Sequence, residues 1–431
     1  MADRVLVVAP SSYSIGELAN AIVLARQLDD RRVTFLTSAT YAGHARAAGF
    51  EAQEIPRGWR AAGFVREAVR DPQIDAVLLA DHHLTSLERI FFRLSDALEG
   101  APLIALDSLC FGPAPRRLEL AIARDCLGEE MHRWFPPVVT TEQVPEGVPL
   151  LRPVPVARAG EGGTAFDLYG DSDLLKVRHG RTAVRQRLGI PTDHTVILAA
   201  ISHWASQALT QPHLAQLNQG HDRYLTLRLE WIAEMARRLD RPATIVVVTS
   251  QELQLSTHGV EIRTLAPMAL QEFTDLLGAV DLYLCDNLVS GAMARAVLLG
   301  TPVITLTHEA GVWDDDSFCH AWRQEMSELV GGFDFPYLVH PFGWISELEP
   351  LIAGNPYLQA VPRVPAFSLL AQVAACANAL ESTERPVLDA IRGQLAGLPS
   401  APEAFEQALR HTRTHRTSRR TAQPPLDPRS T

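Results

Sequence analysis

Residues 266–306 read APMALQEFTDLLGAVDLYLCDNLVSGAMARAVLLGTPVITL, a helix, a strand, a turn, a helix and a strand in close succession. Leu270 to Ala279 spaces its apolar residues as a helix does, whereas DLYLCD at 281–286 is a short, largely apolar run. Ser290 and Gly291 open the next helix, Gly291 to Leu299, and Gly300, Thr301 and Pro302 close it before the strand PVITLT at 302–307. Short Val, Ile and Leu runs between amphipathic helices are the mark of parallel strands covered on both faces. The class is α/β.

The same alternation extends outward. Upstream lie the strand TVILAAIS (195–202), a long helix from Arg223 to Leu239, and the strands ATIVVVTS (243–250) and VEIRTLA (260–266). The first half repeats the pattern: RVLVVAP (4–10), a helix from Glu17 to Leu28, RVTFLTS (32–38), a helix from Ala42 to Ala48, then IDAVLLAD (74–81) and PLIALDS (102–108). Between about 110 and 194 the periodicity weakens and Pro and Gly cluster, as in RPVPV (152–156) and GEGG (160–163), which reads as a joint. The expected organisation is therefore two doubly wound, Rossmann-like parallel-sheet domains, at 1–155 and 195–365, joined by a linker at 156–194. Helices over 366–412 follow and pack on one domain or the other, and 413–431 is expected to be a disordered basic tail.

Composition narrows the function. The 431 residues are 47% hydrophobic and 21% charged, the mix of a globular chain. The net charge is −11 and the one dense basic run is HTRTHRTSRR at 411–420, so nucleic acid is not expected as a partner. Five scattered cysteines, with no CxxC pair, indicate neither a disulfide framework nor a metal site, and a reducing cytoplasm is the expected location. No apolar run approaches the roughly 20 residues of a membrane span. Oligomeric state is not legible.

The stretch from 266 to 306 resembles the donor-site region of the GT-B glycosyltransferases and of nucleotide-sugar 2-epimerases, through Ser290, Gly291, Gly300 and Pro302. The resemblance implies GT-B architecture, two such domains facing a cleft. A Ser-Gly turn at a helix start offers N–H groups and the positive end of the helix dipole to a diphosphate, with no Cβ at Gly291 in the way. Ser290 as a plain helix cap is the competing reading. Many GT-B enzymes place a ribose-binding acid where this chain has Arg295. A guanidinium can only donate, so Arg295 either pairs with a phosphate or donor carboxylate or is a surface or ion-paired arginine.

In the first half, Ser14-Ile15-Gly16-Glu17 is similar to the loop of Kdo transferases, in which a glutamate deprotonates the acceptor. The resemblance makes Glu17 the leading catalytic residue, with Ser14 and Gly16 beside the acceptor. Polar residues at strand ends complete the candidates, since open α/β sheets bind ligands there. Asp81 and Asp107 are expected to contact the acceptor, His82 to contact it or act as a second base, and Ser202 and His203 to lie near the donor phosphates. His308 and Glu309 stand near where GT-B enzymes hold the transferred sugar.

The expected activity is transfer of a sugar from a nucleotide-sugar donor, a co-substrate rather than a cofactor, to a small-molecule acceptor, inverting and without a metal, in bacterial specialised metabolism. The alternatives are a 2-epimerase-like enzyme, disfavoured because the loop PSSYSIGE lacks the arginine of that family, and a non-catalytic GT-B relative that binds a nucleotide or a partner protein.

Overall fold

The computed structural model describes residues 4–11, 15–80, 82–85, 92–119, 138–157, 162–170, 172–200, 220–249, 259–286, 290–307, 314–330, 355, 361–382 and 386–422. The first half forms β1 (Arg4–Ala9), α1 (Gly16–Ala25), β2 (Arg32–Ser38), α2 (Ala42–Ala47), β3 (Glu51–Ile55), α3 (Arg60–Val69), β4 (Ala76–Leu79), α4 (His82–Thr85), α5 (Leu94–Ala97), β5 (Leu103–Leu106), β6 (Arg117–Glu119), β7 (Val138–Thr140), β8 (Leu150–Val154) and β9 (Thr164–Asp167). The second half adds α6 (Arg181–Arg187), β10 (Thr195–Ala200), α7 (Gly220–Arg237), β11 (Ala243–Val248), β12 (Glu261–Leu265), α8 (Leu270–Ala279), β13 (Leu282–Cys285), α9 (Gly291–Leu298), β14 (Val303–Thr307), α10 (Ser317–Val330), β15 (Arg363–Pro365), α11 (Leu369–Glu381), α12 (Pro386–Leu395) and α13 (Ala401–Ala422).

Two parallel-sheet α/β domains result, with seven strands in the order β3-β2-β1-β4-β5-β8-β9 and six in the order β12-β11-β10-β13-β14-β15. In each, the first strand is central: Val5 pairs with both Val33 and Ala76, and Ile197 with both Ile245 and Leu282. Both faces of these strands are covered, and Val5, Val7, Val8 and Ile197 are all fully buried. In both sheets the chain leaves the central strand toward opposite sides of it. Loops at the carboxyl ends of such strands frame the crevice of a doubly wound sheet.

The observed boundaries differ from those expected at the joint and at the end of the chain. The first sheet continues past 155 to Asp167, because β9 pairs with β8 over Leu151 to Val154. In turn α6 belongs to the second domain: Val184 lies in its core, and Arg185 Nε donates to Ala279 O at 2.8 Å. The connection between the domains is therefore the short run from Leu168 to Gly180.

The terminal helices divide. Leu369 and Cys376 of α11 pack with Trp231, Trp322 and Phe367 in the second domain, and Ile391 of α12 joins that domain's other core. α13 crosses back, burying Ala401, Ala404, Phe405, Ala408 and Leu409 against the first domain. It runs to Ala422, so 413–422 is helical rather than the disordered tail expected there. The two crossings lie side by side, with Asp167 N donating to Pro399 O at 2.9 Å and a bridge between Asp167 and Ser400. No helix among the described residues is long and apolar enough to cross a membrane.

Candidate active site

α1 of the first domain and the start of α9 of the second meet at Asn20 and Gly291. Glu17 sits in the first turn of α1, half-buried, next to Gly16, where a carboxylate is favoured by the helix dipole. Asn20 lies one turn further on and so projects from the same face as Glu17. Its side chain is buried, and its Nδ2 donates to Ser108 Oγ at 3.1 Å. Across this contact, a Cβ built on Gly291 would lie 3.3 Å from Asn20 Oδ1 and 3.8 Å from the Tyr169 hydroxyl. The missing Cβ of Gly291 thus makes room for the first domain, where the sequence suggested room for a diphosphate.

Tyr169 comes from the connection after β9. Its hydroxyl donates to Gly291 O at 3.1 Å, and burial pushes its pKa up to about 12, so it stays a donor at any physiological pH. Ser290 is the N-cap of α9: its Oγ accepts from Ala292 N at 3.2 Å and from Met293 N at 3.3 Å. The same side chain hydrogen-bonds the Tyr283 phenol, whose pKa burial raises well above 10. The capping reading of Ser290 is therefore the geometry found. At the far end, Gly300 takes φ +76°, the left-handed residue that closes a helix, with Thr301 N bonded to Ala296 O and Gly300 N to Val297 O, both at 2.9 Å.

Arg295 is not on the surface. It is buried between α9 and α8, with Nη1 donating to Leu270 O at 3.2 Å and to Thr274 Oγ1 at 3.3 Å, and its guanidinium lies 5.3 Å from the Phe273 ring centroid. Burial lowers its pKa, opposed by Tyr169 and Tyr283. The position where many GT-B enzymes keep a ribose-binding acid is here a tie between two helices of the second domain.

His82 and Asp107 are placed differently from what their sequence positions suggested. Both are wholly buried. Asp107 Oδ1 accepts from Phe111 N at 2.8 Å and Gly112 N at 3.2 Å, and its Oδ2 accepts from Arg152 Nε at 3.3 Å. Arg152 Nη2 also donates to Gly112 O at 3.3 Å, which closes the loop after β5 around the carboxylate. His82 Nδ1 stands 3.9 Å from Asp107 Oδ1, and His83 meets the Phe111 ring edge-on at a centroid distance of 4.9 Å. Burial lowers the His82 pKa, partly offset by the Asp107 carboxylate, and lowers that of His83 further, with help from His82. Asp107 and His82 therefore support the loop beside Ser108 instead of facing an acceptor.

Ser14, Asp81, Ser202, His203, His308 and Glu309 lie outside the described residues. No group of three metal-ligating side chains occurs among the described residues. Sequence reading missed Asn20, Ser108 as its partner, Arg152 and Tyr169. Asn20 left a signal, a lone amide inside the apolar run GELANAIVLA, whereas Tyr169 sits in a segment without periodicity.

Residues 24–414 match the model of a family described as a family of unknown function (DUF6365). No curated protein matches the chain. Among solved structures, the chain is similar to the glycosyltransferase VinC in complex with DTDP, at 11% identity and a TM-score of 0.51, covering 95% of this chain and 100% of that one. It is also similar to the spinosyn rhamnosyltransferase SpnG, at 15% identity and a TM-score of 0.50, covering 94% of this chain and 99% of that one. These likenesses are of fold, and the fold is that of the GT-B glycosyltransferases.

Proposed function

The chain belongs to the DUF6365 family, and from its GT-B fold we infer that it is a glycosyltransferase moving a sugar from a nucleoside diphosphate carrier to a small acceptor bound by the first domain. What supports this reading is the meeting of α1 with the start of α9, which brings the helix that carries Glu17 in its first turn against an anion-attracting helix end. Ser290 takes the N–H groups of Ala292 and Met293, and the Gly291 N–H has no partner among the described residues. That N–H and the positive end of α9 would receive the diphosphate.

In the reaction, the acceptor hydroxyl gives its proton to the Glu17 carboxylate as its oxygen attacks the anomeric carbon. The bond to the diphosphate oxygen breaks, and the departing diphosphate keeps the electron pair. Charge on the leaving group is assigned to the α9 terminus, without a metal. One base and one leaving group on opposite sides of the carbon give inversion. Ser202, His203, His308 and Glu309 are assigned to the donor, and Ser14, Gly16 and Asp81 to the acceptor.

The test is a thermal-shift series with UDP, TDP, GDP, CMP and ADP, since a ligand of the folded state raises the melting temperature by mass action. One nucleoside diphosphate is expected to raise it clearly. With the matching nucleotide sugar, Glu17→Gln is expected to lower turnover at least ~100-fold while that shift persists. Absence of any shift removes the donor reading, and retained turnover removes Glu17 from the base role.

A further inference from the structure

Gly291 is the first residue of α9 and its φ is not in the left-handed region, so its backbone would accept an alanine. By helix propensity alone, alanine would be the better residue there. What stands against it is the first domain. Asn20 Oδ1 lies 3.3 Å from the Cβ position, inside ordinary van der Waals contact, and the Tyr169 hydroxyl closes the other side at 3.8 Å. Neither neighbour is free to swing away. Asn20 is held by its bond to Ser108, and Tyr169 by its bond to Gly291 O.

That second bond bears on the turn itself. By fixing the Gly291 carbonyl, Tyr169 orients the peptide that joins Gly291 to Ala292, whose N–H is in turn held by Ser290 Oγ at 3.2 Å. The donor helix therefore has its starting turn set from the opposite domain. Ala294, one turn along, is buried in the core of the first domain, and Leu298 packs partly buried against it, so the contact continues down the helix.

We propose that Asn20 and Tyr169 are positioning residues that clamp the first turn of α9 against α1, and that residue 291 is glycine to admit the clamp. The clamp keeps the anion-binding end of α9 in one frame with Glu17, and this part of the proposal rests on the donor-site reading above. Asn20 and Tyr169 act through the turn and through α1, without touching the reacting atoms.

The experiment is a mutant cycle read by melting temperature without ligand, followed by titration with inorganic pyrophosphate. Gly291→Ala is expected to lower the melting temperature by roughly 2–4 °C in the native background and to raise it in an Asn20→Ala background. Equal shifts in both backgrounds overturn the clamp. By isothermal titration, Tyr169→Phe is expected to weaken pyrophosphate binding about fivefold at a temperature where the protein is fully folded. Unchanged affinity overturns the positioning role. If the unmutated protein takes up no pyrophosphate, the donor-site reading fails, and the melting cycle alone still decides whether Asn20 is the reason for the glycine.

Discussion

His82 and His83 lie in the first domain with their rings wholly enclosed, and burial lowers the pKa of both below the ordinary 6.5. In the unfolded chain the same rings take up protons as the pH falls through about 6.5. The unfolded state then binds more protons than the folded one, so stability is kept above that pH and lost as acid is added. A melting series from pH 7.5 to 5.5 is expected to show a falling midpoint, with a shallower slope in His83→Phe, which leaves a ring against Phe111. An equal slope in the variant would mean that other groups carry the proton uptake. Asp107 makes the complementary point about single residues. It was legible as a polar residue at a strand end, but its use on Phe111, Gly112 and Arg152 depends on a loop and a strand brought together only by folding.

Among elements, α9 has both ends accounted for by side chain and backbone chemistry, Ser290 at its start and Gly300 past its end. Removing the cap hydroxyl in Ser290→Ala is expected to cost about 1–2 kcal/mol in chemical denaturation, and Ser290→Gly only a few tenths. Equal losses would show that the bond to Tyr283, rather than capping, is what Ser290 supplies.

The inner strands were readable because they are buried on both faces: the runs at 4–10, 32–38, 74–81, 195–202 and 243–250 became β1, β2, β4, β10 and β11. The strands that escaped reading sit mostly at sheet edges. β3, reading EAQEI and largely exposed, ends one side of the first sheet, β9 ends the other, and β15 ends the second sheet. An edge strand has one neighbour and an open side, so nothing requires it to be apolar throughout. β8 was hidden differently, as prolines in RPVPV suggested a joint where an inner strand runs. Helix starts set by local turns were legible, at Glu17 and at Ser290 and Gly291, whereas contacts that depend on one domain reaching the other, at Asn20 and Tyr169, were not.

For the whole molecule, α13 makes the first domain depend on the last part of the chain. Phe405 is fully buried there, beside the Arg31 guanidinium at 5.4 Å, and Arg31 also pairs with Glu406. Phe405→Ala is expected to cost about 3–5 kcal/mol. By calorimetry the loss belongs to the first domain's transition, and a loss confined to the second domain would contradict the packing described.

The paired crossings carry a mechanical consequence. Asp167 is bonded to Pro399 and bridged to Ser400, so both covalent passages between the domains run along one line, like the spine of a book. An opening that strains neither passage is one that turns about that line. Tyr169, two residues beyond Asp167, touches Gly291 beside the spine, where a given angle of swing produces the least displacement. Points far from the spine travel furthest in such a swing, while the turn at Gly291 stays nearly in place.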